Sequence, residues 1–340
     1  MTYRRRMAVG AAMSLVLIGS GAACAQGAPP AEPAPAAQSS PTAAQPRFHE
    51  RVEELARALQ NNPRLKHLSE QERLNRLEFV MGNTLFALLH EMGHVAIDEM
   101  KLPVLGREED EADAFATLRL LKVGSEFSQR VLAEAAKNWF LSARRDQETG
   151  AQPVYYGEHT MSQERAYQVV CLMVGSDPAK FKSLADEAQM PPERQETCRK
   201  DYGKISRSWD AVLEPHRRTP DQPQTKIYVV YDNAAENLAG FARGFRAVRI
   251  LETVANRASL DYAWPAPFTI EMRSCGRPAA AWSEENRTLR ICYELAFDFA
   301  QLYEAYVASA SAPSAPAAVS KRTSPARPRL RNASQPRTKS

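Results

Sequence analysis

The chain has 340 residues, 44 of them basic and 40 acidic, for a formal charge of +4. The excess is terminal: Arg4, Arg5 and Arg6 open the chain, and from Val307 onward there are seven cations (Lys321, Arg322, Arg327, Arg329, Arg331, Arg337, Lys339) and no acid. Setting those three and seven charges aside leaves the body at −6, which removes the main support for a nucleic-acid partner.

The opening arginines precede an apolar run from Met7 to Ile18 and a small-residue site, Ala23-Cys24-Ala25. This is the pattern of a secretory signal peptide over residues 1–25, and it predicts a periplasmic or secreted protein. A membrane anchor made by the uncleaved segment, or by a lipidated Cys24, is the other reading. Residues 26–46 carry six prolines among Ala and Gln and predict an extended linker. Residues 307–340, rich in Ala, Ser, Pro and Arg, predict a disordered basic tail, suited to an anionic envelope surface or simply solubilising. Cleavage leaves four cysteines. In an oxidising compartment, pairing by neighbourhood gives Cys171–Cys198 and Cys275–Cys292.

From residue 49 to 213 the apolar spacing is helical. A short helix carries Val52, Leu55, Ala56 and Leu59 and stops at Asn61-Asn62-Pro63. Ser69 and Glu72 form a capping-box signature for a helix running toward Met100, with room for a break. Helices are also expected at 108–122, 125–144, 162–174, 178–188 and 191–213. The period then changes. Residues 226–231 read as a strand, 238–254 as one amphipathic helix, 268–272 and 288–292 as strands, and 294–306 as a last helix.

Within the long helix stands His90-Glu91-Met92-Gly93-His94. Histidines four apart project from one helical face and can hold one ion, while Glu91 lies about 100° round, near enough to take a proton from a bound water. A catalytic zinc, Zn2+, needs three protein ligands and an open position. Glu109 is the expected third ligand, fifteen residues beyond His94 on the next helix. Glu108 and Glu111 are the reserves. Asp113, one turn after Glu109, is expected to orient a histidine from behind.

Glu109-Asp110-Glu111-Ala112-Asp113 resembles the ExxAD signature of gluzincin peptidases of the HtpX-like and CAAX-prenyl-protease group. The resemblance implies Glu109 as zinc ligand and Asp113 behind it. His159 and Arg165 are similar to that group's later His…Arg element, with Thr160 in place of proline, which implies transition-state stabilisers. A closer resemblance is to a bacterial metallopeptidase family that brings no known substrate. It rests on residues 88–94, residues 102–110 and a CG…CYEL hairpin, here Cys275-Gly276 to Cys292-Tyr293-Glu294-Leu295. Many relatives carry that hairpin before the HExxH helix. Its position here implies that these strands pack beside the zinc helix.

The expectation is an α+β, mostly helical, zincin-like metallopeptidase domain over residues 47–306. Its helical zinc-binding part covers 47–218, and a small sheet comes from 219–306. The expected function is zinc-dependent hydrolysis of peptide bonds in envelope or extracellular proteins, with Glu91 as general base and acid. The alternative is a non-catalytic, zinc-stabilised envelope binding protein.

Overall fold

The computed structural model describes residues 47–311. The expected signal peptide, the linker and residues 312–340 of the tail lie outside the described residues.

Seven helices come first: α1 (Phe48–Ala58), α2 (Glu70–Met100), α3 (Glu108–Val123), α4 (Glu126–Thr149), α5 (Ser162–Ser176), α6 (Pro178–Glu187) and α7 (Pro192–Leu213). The capping box forms as the sequence indicates. Ser69 Oγ accepts the Glu72 N–H at 3.2 Å and Glu72 Oε2 accepts the Ser69 N–H at 2.8 Å, which satisfies two end donors of α2. No break follows, and α2 runs on for 31 residues. It is the central element: α1, α3, α4 and the last helix pack around it, burying Phe79, Leu88, Val95 and Ala96.

Strand β1 (Ile227–Tyr231) leads through α8 (Ala239–Val248) and α9 (Ile250–Asp261) to β2 (Phe268–Arg273), β3 (Ala280–Ser283), β4 (Thr288–Cys292) and α10 (Tyr293–Ser311). The expected single helix over 238–254 is therefore two. Arg249 takes φ +55° and ends α8. The Val248 carbonyl freed there accepts Arg51 Nε at 2.7 Å, and the Leu251 N–H of the new first turn donates to the Tyr231 hydroxyl at 3.2 Å. These partners satisfy groups that a helix end leaves open. α10 also continues to Ser311, five residues past its expected end.

The sheet order is β1-β2-β4-β3, parallel except for β3, which pairs antiparallel with β4 at one edge. β3 was not expected as a strand, because Ala280-Ala281-Trp282-Ser283 lacks a β-branched run and owes its conformation to pairing. One face of the sheet buries Phe268, Ile270, Met272, Leu289 and Ile291. β3 packs beside α2, as the resemblance implies.

Two disulfides form, Cys171–Cys198 and Cys275–Cys292, each stabilising by about 3–4 kcal/mol in the chain-entropy picture. The first ties α5 to α7 where the helices touch most closely: a Cβ on Gly175 would lie 2.3 Å from the Cys198 carbonyl oxygen. The second closes the loop after β2 onto the end of β4. Such bonds suggest an oxidising, extracytoplasmic location. No helix among the described residues is long and apolar enough to cross a membrane.

Candidate metal centre

The site is built where α2 crosses the start of α3. Gly93 makes that crossing close, since a Cβ there would stand 3.0 Å from Ala112 Cα and 3.2 Å from Ala112 Cβ. Four acidic residues, Glu108 to Glu111, occupy the first turn of α3, where the helix dipole favours negative charge. Glu109 and Asp113 are four apart and face α2 together.

Three donor atoms converge. His90 Nε2 lies 3.2 Å from His94 Nε2 and 3.1 Å from Glu109 Oε2, and His94 Nε2 lies 3.6 Å from the same oxygen. Ligands about 2.0–2.1 Å from one tetrahedral ion stand about 3.3 Å apart, so the triangle has the right size. Behind it, His90 Nδ1 meets Asp113 Oδ1 at 2.8 Å and His94 Nδ1 meets Glu108 Oε1 at 2.7 Å. With each Nδ1–H given to a carboxylate, both neutral rings turn lone pairs inward. Those lone pairs and the Glu109 oxygen repel unless positive charge sits among them. The donor chemistry therefore fits a divalent cation.

Proton affinities carry the same message. Burial opposes the imidazolium of His94, but Glu109 and Glu108 outweigh it and push the pKa up to about 9. Burial likewise opposes charge on His90, and Asp113 and Glu109 still hold its pKa above the ordinary value. Burial would raise the Glu109 pKa, yet contacts from His159, His90 and His94 hold it far below the usual carboxylate range. Asp113 is also lowered against its burial, by Arg165 and His90. Glu91, only 6% exposed, is the exception: burial raises it.

His159 reaches the centre from the loop before α5, with Nε2 at 2.8 Å from Glu109 Oε2 and a side chain 51% exposed. Thr160 ties that loop to α3 through Asp110 Oδ1 at 3.0 Å. Of the two reserve acids, Glu108 sits behind His94. Glu111 turns away, lining a cavity of about 280 Å³ between α3, α5 and α7.

Arg165 departs from expectation. It is 7% exposed, stacks 3.7 Å over the Trp139 ring and holds Asp113 with two hydrogen bonds, Nε to Oδ2 at 2.7 Å and Nη2 to Oδ1 at 2.8 Å. The guanidinium thus lies behind His90 rather than over the open side of the donors, where a developing oxyanion would be. Arg165 holds Asp113, and Asp113 holds His90. Trp139 carried no sequence signal, and Glu108 was expected only as a reserve ligand.

Residues 50–213 match the model of a family described as "Putative metallopeptidase". Over that stretch, 164 of the 340 residues, the chain is similar to this family. The match runs from α1 to α7 and contains every donor described above, and a metallopeptidase family implies a metal ion. No curated protein and no solved structure matches the chain.

The sheet lies beyond the family match and closes the other side of Glu91. The Cys292 N–H donates to the Ala279 carbonyl at 2.9 Å. Hydrogen-bonded pairs therefore alternate as 279/292, 281/290 and 283/288 along the β3–β4 register. The N–H and C=O groups of Ala280 and Trp282 then point away from β4. The Trp282 N–H faces the Glu91 carboxylate and favours its anion.

Proposed function

We propose that this chain is a zinc-dependent peptidase that hydrolyses peptide bonds of envelope or extracellular proteins. The observation that carries the reading is the triangle of His90, His94 and Glu109 donors with a buried carboxylate, Glu91, one residue from the first of them. Bound zinc would supply a water acidic enough to deprotonate near neutral pH and a Lewis acid for the scissile carbonyl.

The chain's own residues do the rest. Glu91 takes the proton of the attacking water and returns it to the leaving amine, and its buried position strengthens its hold on that proton. Asp113 and Glu108 fix the tautomers of His90 and His94, and Arg165 anchors Asp113. His159, half exposed at the rim, donates to the developing oxyanion. The outward N–H and C=O of Ala280 on β3 pair with an extended substrate backbone and align it past Glu91.

The test is cleavage of a mixed peptide library by wild type and by Glu91→Gln. The variant is expected to retain one zinc per chain and lose cleavage by about three orders of magnitude or more. A Glu91→Gln protein as active as wild type contradicts the mechanism. A wild type that binds zinc and cleaves nothing favours the non-catalytic envelope binder.

A further inference from the structure

A groove of about 420 Å³ runs beside β3 on the outer face of the sheet. It is lined by Arg273, Arg277 and Arg290, by Ala279 to Ala281, and by the Cys275–Cys292 disulfide. Every charged side chain in that lining is an arginine. Arg290 is engaged by Glu271 at 2.5 Å, and Arg273 stands 3.9 Å from Asp232. Arg277 is exposed, and among the described residues no ion pair or hydrogen bond engages its guanidinium.

Placement gives the groove a use. Ala281 is the cross-strand partner of Arg290, so the two share the outer face, and the small side chain leaves room beside the guanidinium. Ala280, whose backbone points outward, is two residues from Trp282, whose N–H faces Glu91. Two strand residues span about 7 Å. A peptide paired with β3 therefore brings a side chain over the groove two or three residues from the bond beside Glu91.

We infer that this groove is a specificity site for an aspartate or glutamate side chain of the substrate, two or three residues from the cleaved bond and on one side of it only. The inference deepens the peptidase reading and rests on it. The planar, permanently charged fork of arginine suits a carboxylate. The chain's own basic tail has the wrong sign to occupy the groove.

The test uses zinc-loaded full-length protein and paired peptides that differ only by Glu or Gln, placed at each position within three residues of a cleavage site. Wild type is expected to prefer Glu by about tenfold in kcat/KM at one position, and the preference is expected to shrink in high salt, where exposed charges are screened. Arg277→Ala is expected to cut the preference to about threefold or less, and Arg277→Glu to turn it toward Lys. The residue is exposed, so neither change threatens the fold. Equal kcat/KM for Glu and Gln at every position overturns the groove while leaving the peptidase reading intact. Should no peptide be cleaved, the peptidase reading fails. The groove is then judged by fluorescence anisotropy of labelled Glu and Gln peptides on Glu91→Gln protein: tighter binding of the Glu peptide supports it, and equal binding overturns it.

Discussion

The helices α1 to α7 and the segment from β1 to α10 build the candidate site by different means. In the helical region every candidate metal donor comes from two consecutive helices, within twenty residues of chain, and one close crossing at Gly93 and Ala112 brings them together. In the β-containing region the contributions are backbone groups of β3 and cations on the outer face, brought there only by pairing between strands. The family match ends at residue 213, so it covers the first region and not the second. The difference separates chemistry from recognition. In the proposed reading, side chains of fixed type and spacing would hold the metal, whereas an edge strand of nearly featureless sequence would meet the substrate.

The comparison can be broken from the helical side by removing a residue that acts through others. Arg165→Leu leaves the Asp113 carboxylate buried without its partner, a loss of about 3–5 kcal/mol by analogy with other broken buried pairs. It should also weaken zinc affinity by about 10- to 100-fold, because His90 loses its brace. Thermal unfolding and zinc titration against a competing chelator would measure both. If Arg165→Leu lowered kcat alone, with metal affinity and melting unchanged, Arg165 would be acting on the transition state after all.

From the β side the expected effect is smaller. Proline at position 280 removes an N–H that points away from β4, so the ladder survives while one contact to a substrate backbone is lost. Ala280→Pro should raise KM for peptides several-fold with zinc content unchanged. An unaltered KM would detach β3 from substrate binding and reduce the sheet to a scaffold.

How much of this was legible follows the same division. The meeting of His90, His94, Glu109 and Asp113 follows from the chain because helical geometry turns spacing directly into direction, and both disulfides followed from neighbourhood. His159 was placed through resemblance, and the structure brings it to Glu109. The spacing of Arg165 from His159 says nothing of which side of His90 it approaches; the bidentate contact with Asp113 is a tertiary fact. The break at Arg249 escaped notice because its αL conformation is supported by contacts with Arg51 and Tyr231, 198 and 18 residues away along the chain. β3 escaped because Ala280 and Ala281 have little strand preference of their own and follow β4.

Anomalous diffraction at the zinc absorption edge, from crystals of the zinc-loaded full chain, tests the central claim most directly. The account predicts one strong peak about 2.0–2.1 Å from His90 Nε2, His94 Nε2 and a Glu109 oxygen, absent from crystals of Glu109→Ala. A peak bound by other side chains, or no peak between these three, would contradict it.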